Sequence, residues 1–209
     1  MTDRTAALRA LEEQMRACTR CPLAEGRTQA VPGEGPATAE IVFIGEGPGF
    51  HEDRQGRPFV GPAGQLLNEL LASVGLERGQ VYITNVVKCR PPNNRDPLPH
   101  EIDACRPWLD QQLDLIAPLL ICTLGRYSLA RYSKSGISRT HGQPLRSGES
   151  WVLPLYHPAA ALHNQTLHPV LFEDFKQVPT LLARARAERQ ASASPATLPP
   201  TEPKQLSLF

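Results

Sequence analysis

Four short apolar runs, separated by stretches of helical character, constrain the fold of this chain more than any other feature. They are Ile41-Val-Phe-Ile44, Val81-Tyr-Ile-Thr-Asn-Val-Val87, Leu119-Leu-Ile-Cys-Thr-Leu124 and Trp151-Val-Leu-Pro-Leu155. Their length and their β-branched and aromatic content are those of buried strands. Helices are predicted between them: one opening at Gly61-Pro62 with Leu66, Leu67, Leu70 and Leu71, one over Pro99–Ile116, and a short one after Gly125. Residues 5–17 set Leu8, Leu11 and Met15 on one helical face, and Leu171–Arg189 is predicted as a single closing helix. Strands alternating with helices imply an α/β domain with a mostly parallel sheet covered on both faces. Sites in such sheets form beyond the carboxyl ends of the strands. Here those ends carry Gly45-Glu-Gly-Pro-Gly49, Asn85, Gly125 and His157.

The chain of 209 residues is long enough for one such domain and a tail. The domain is assigned to residues 1–189. Residues 190–209, rich in Ala, Ser, Thr and Pro, are expected to be a flexible tail. No run approaches the ~20 apolar residues of a membrane span, and the N-terminus lacks a signal-peptide core. The expectation is a cytoplasmic, nucleoid-associated monomer. A net charge of +1 is neutral about nucleic acid. Locally, Arg126, Arg131, Lys134, Arg139 and Arg146 follow one another with no intervening acid, as a phosphate-contacting stretch would or as a solvated loop would.

The cysteines add a second constraint. Cys18 and Cys21 form a C-x2-C pair and Cys89 and Cys105 a C-x15-C pair, whereas Cys122 sits inside an apolar strand as a small core residue. Four thiolates can hold structural zinc or a [4Fe–4S] cluster, and spacing alone does not choose between them.

Taken with those cysteines, the segments Gly45-Glu-Gly-Pro-Gly49, Gly56-Arg-Pro-Phe-Val-Gly-Pro-Ala-Gly64, Thr84-Asn-Val-Val-Lys-Cys-Arg-Pro-Pro92 and His157-Pro-Ala-Ala160 resemble the family 4, iron–sulfur uracil-DNA glycosylases over roughly residues 5–187. The resemblance implies a three-layer α/β/α sandwich with a central four-stranded parallel sheet. It also implies a structural [4Fe–4S] cluster on Cys18, Cys21, Cys89 and Cys105, uracil-containing DNA as substrate, and hydrolysis of the N-glycosidic bond. Phe59 matches the family's stacking aromatic. Asn85 would read the O4 and N3–H edge of uracil, since an amide offers both a donor and an acceptor. His157 would donate to the departing base at O2, and Gly45 and Gly47 would bring backbone N–H groups close. Glu46, Glu52 and Asn94 match positions considered functional, with the water-orienting group among them left open. No Asp stands at Gly47, where better-known uracil glycosylases carry one. Leu162 is a candidate minor-groove wedge or a core leucine, and Arg139 a candidate phosphate contact. A sister branch bonds covalently to uracil-DNA through a histidine in an extra loop. Cys89–Pro97 here has neither insertion nor histidine, which favours a turnover enzyme. The final residues Gln205, Leu206, Ser207, Leu208 and Phe209 resemble the peptide with which bacterial repair proteins bind the sliding clamp.

Overall fold

The computed structural model describes residues 4–193. The chain opens with α1 (Arg4–Arg16) and a single turn, α2 (Leu23–Gly26), before β1 (Ile41–Gly45). Then follow α3 (Phe50–Gln55), α4 (Pro62–Ser73), β2 (Tyr82–Asn85), α5 (Pro99–Ile116) and β3 (Leu120–Leu124). The short α6 (Arg126–Leu129) and α7 (Ile137–Thr140) lead to β4 (Leu145–Ser147) and β5 (Ser150–Leu155). Three helices close the described residues: α8 (Pro158–His163), α9 (Leu167–Phe175) and α10 (Gln177–Ala193).

The strands lie in the order β2-β1-β3-β5-β4. The first four are mutually parallel, with Gly45 opposite Asn85, Phe43 opposite Cys122 and Cys122 opposite Leu153. The parallel sheet of four is therefore present, but among the described residues the sheet has five strands. β4 adds an antiparallel edge on β5 through the two-residue turn Gly148-Glu149. Leu145-Arg-Ser147 has no apolar run to announce it and is only half-buried or exposed, as an edge strand can be.

Every residue of β1, β2 and β3 is buried, which is why these strands read as continuous apolar runs instead of alternating ones. One face packs against Leu66, Leu67, Leu70 and Leu71 of α4 and against α9 and α10, where Phe43 and Phe175 stack with centroids 5.5 Å apart. The other face takes Leu8, Leu11 and Met15 of α1 and Trp108, Leu109 and Ile116 of α5. Cys122 is fully buried in the first of these cores, on the α4 side.

The single closing helix expected over Leu171–Arg189 is instead two, broken at Lys176. Pro179 gives the reason: its ring clashes with the carbonyl four residues earlier, at Phe175, and it has no N–H to bond there. α10 extends to Ala193, and the clamp-like peptide 205–209 lies outside the described residues.

Candidate active site

A cleft of about 350 Å³ opens at the carboxyl end of the parallel strands. Glu46, Gly47, Pro48, Gly49, Glu52, Phe59, Asn85, Asn94 and His157 line it, together with Pro91, Arg95, Ala159 and His163. Segments from three strand ends and two loops thus meet at the point where strand order reverses about β1, as such sheets dictate.

Asn85 ends β2 at 2% exposure, and its Oδ1 is buried without a hydrogen-bond donor among the described residues. A buried acceptor left unmatched costs about 1–3 kcal/mol, so it is a group waiting for a donor. Gly45 stands opposite it on β1. A methyl there would lie 2.4 Å from Asn85 Oδ1 and 2.6 Å from the Phe59 ring, so only glycine lets all three residues converge.

Phe59 is 6% exposed and adopts φ +50°, a left-handed conformation that its side chain disfavours. Its surroundings hold it there. Glu52 accepts hydrogen bonds from the N–H groups of Val60 (2.9 Å) and Gly61 (2.8 Å) on one oxygen and from Gly49 (3.2 Å) on the other. Arg78 donates to the carbonyls of Pro58 and Phe59 and ion-pairs with Glu34, which also binds Arg57.

His157 follows β5 and caps α8, with its Nδ1 accepting the N–H of Ala159 at 3.1 Å. In a neutral ring that leaves Nε2 as the donor. Desolvation pushes its pKa down to about 4, with Glu52 opposing weakly, so the neutral form holds at physiological pH. The imidazole lies against Phe59, with centroids 5.6 Å apart and planes 29° apart. Gly125, at the end of β3, makes room: its φ is +88°, and a methyl there would stand 3.1 Å from His157 Cβ.

Glu46 has its pKa pushed up to about 7 by burial and by Asp96, partly offset by Arg126. Asn94, also at positive φ, is exposed on the lip and accepts from Arg90 Nε at 2.7 Å. Leu162 is 47% exposed on α8, which settles it as a surface leucine and not a core one. Arg139 is exposed on α7, outside the cleft. Within the basic stretch, Arg126, Arg131 and Arg146 pair with Asp96, Asp110 and Glu188. Only Lys134 and Arg139 are left there without a carboxylate among the described residues.

Cys18, Cys21, Cys89 and Cys105 line one small pocket beneath α1 and α5. Among the described residues no three metal-ligating side chains converge on a single point. N–H donors already face three of the sulfurs: Trp108 Nε1 to Cys18 (3.2 Å), Arg27 Nη1 to Cys89 (3.2 Å) and the Lys88 amide to Cys105 (3.3 Å). Such donors suit anionic sulfur, so the pocket fits a thiolate-bound group. Lys88 is fully buried, its ammonium bonded to Thr84 Oγ1 (2.6 Å), Gln112 Oε1 (2.7 Å) and the main-chain oxygen of Asn85 (2.7 Å). Sequence reading missed Arg78 and this Lys88 network. A lone lysine inside Val-Val-Lys-Cys was the one available signal.

The model of the uracil DNA glycosylase superfamily matches residues 32–178. A type-4 uracil-DNA glycosylase of Sulfurisphaera tokodaii is 51% identical over 183 residues, covering 82% of this chain and 83% of that protein. The type-4 enzymes of Archaeoglobus fulgidus and Thermotoga maritima are 45% and 42% identical, over 82% and 88% of this chain and 91% and 99% of their own. On these matches the chain belongs to the uracil DNA glycosylase superfamily and, within it, to the type-4 branch.

Proposed function

We propose that this chain removes uracil from DNA by hydrolysing the N-glycosidic bond, leaving an abasic site and an uncut strand. The observation that carries this reading is the unmatched Asn85 acceptor beside the buried face of Phe59, in a chain of this family. A base within a duplex is out of reach, so the nucleotide is extruded into the cleft. There Phe59 covers the ring and Asn85 Oδ1 accepts N3–H while its amide donates to O4. Cytosine presents the opposite pattern at that edge and would leave both groups unpaired.

Bond cleavage places negative charge on the departing base. His157 Nε2–H donates to uracil O2, where that charge develops, and a neutral imidazole is enough. Backbone N–H groups near Gly45 and Gly47 would add donors to it. Glu52, with both oxygens occupied, holds the Phe59 loop and the Gly49 turn. Glu46 and Asn94 are the groups left to order the attacking water. Leu162 fills the space vacated by the base, and Arg139 contacts phosphate.

Cys18, Cys21, Cys89 and Cys105 would hold the [4Fe–4S] cluster, which when bound ties α1 to α5 and to the segment after β2. The catalytic domain of a cytoplasmic, nucleoid-associated monomer extends past residue 189 to the end of α10 at Ala193, and the tail after it docks on the sliding clamp through residues 205–209. Two leucines and a phenylalanine on a polar tether suit a hydrophobic groove. Deleting 205–209 is expected to abolish clamp binding in a pull-down and spare excision from short oligonucleotides.

Incubation with a uracil-containing oligonucleotide followed by alkali tests the main reading. Strand scission at the uracil position supports it, and an intact strand overturns it.

A further inference from the structure

Phe50 opens α3 directly after Gly49, a cleft residue, yet its side chain is 45% exposed. The side chain that α3 buries is Asp53, so Phe50 is no core plug. Two guanidiniums attend its ring, with carbons 5.2 Å (Arg90) and 5.6 Å (Arg54) from the centroid. Arg90 also binds Asn94 Oδ1, and Asn94 and Pro91 line the cleft. The patch and the cleft are therefore continuous through two separate chain segments. Neither Arg54 nor Arg90 meets a carboxylate among the described residues, whereas Arg57, Arg78, Arg95 and Arg126 are all ion-paired.

We infer that Phe50, Arg54 and Arg90 form a platform for an unpaired nucleotide adjoining the extruded uracil. A half-exposed aromatic ring and the flat guanidiniums set over it together make a stacking surface that any base can use, and the guanidiniums also neutralise phosphates. In duplex DNA the bases beside the extruded uracil stay paired, stacked outward on the next base and inward against Leu162. The platform thus acts on single-stranded DNA. This rests on the uracil-excision reading and extends it to strand preference.

The test compares kcat and KM of the full chain, Phe50→Ala, Phe50→Trp and an Arg54→Ala/Arg90→Ala double variant on one uracil in single-stranded and duplex oligonucleotides, over a salt series. Phe50→Ala is expected to raise KM on the single strand about tenfold, within the range for loss of one stacked base. Its kcat and its duplex kinetics should change little, and Phe50→Trp should restore the loss. The double variant should flatten the single-strand salt dependence by about 1.4 in log–log slope, at about 0.7 per phosphate contact. Unchanged single-strand kinetics in Phe50→Ala, or equal losses on both substrates, overturn the platform while leaving uracil excision standing. A wild-type chain that excises no uracil overturns both.

Discussion

At the scale of single residues, the chemistry rests on which protons are already placed. His157 is neutral and points its N–H from Nε2, because Nδ1 is committed to the α8 amide. Replacing it by Ala is expected to lower kcat about 10²–10³-fold, the usual cost of removing one donor to a developing anion. DNA affinity by fluorescence anisotropy should stay close to wild type; near-normal turnover would refute the assignment. Glu46 gives a pH dependence. Its carboxylate forms only as pH rises through about 7, so excision is expected to climb across that range and Glu46→Gln to flatten the climb. Stability runs the other way: a raised acid binds its proton more tightly when folded, so this contribution is full below the usual carboxylate range and fades as pH rises through about 7. For His157 the lowered pKa means stability is lost as pH falls from the ordinary imidazole range through about 4.

At the scale of elements, the stacking loop between α3 and α4 is held from both sides, by Glu52 and by Arg78. Arg78→Ala removes two carbonyl bonds and the link to Glu34, and is expected to raise KM for uracil-DNA several-fold with a smaller effect on kcat; an unchanged KM would show the loop holds itself. The strands that bring this loop to the cleft were legible, because β1, β2 and β3 are buried on both faces and buried strands are apolar throughout. β4 was not, because an edge strand needs no such run. The helix break at Lys176 turns on Pro179, a residue that is also tolerated in the first turn of a helix and so is ambiguous within an apolar pattern. Asn85 and His157 announced themselves as polar residues at strand ends, and the family resemblance gave them roles. Arg78 and Gln112 carried no such mark: their partners Phe59 and Lys88 lie 19 and 24 residues away, and only the fold joins them.

At the scale of the whole molecule, the cysteine pocket and the cleft share a wall. Lys88 presents its amide to Cys105 and its ammonium to the Asn85 carbonyl, so one residue touches both. On the proposed cluster assignment, the wild-type chain absorbs broadly near ~400 nm and Cys105→Ser is expected to abolish that absorption and to lower the melting temperature; a wild-type chain without the absorption would remove the cluster, and a variant that keeps it would remove Cys105 as a ligand. Phe59, by contrast, is held in its strained conformation by contacts within the chain, through Glu52 and Arg78, so the cost of ordering that loop is met during folding and not at binding. A pocket finished in advance does not distinguish an incoming base from a departing one. Free uracil should therefore linger as an inhibitor and protect the protein against heat, by about 2.7 kcal/mol at a hundred times its Kd.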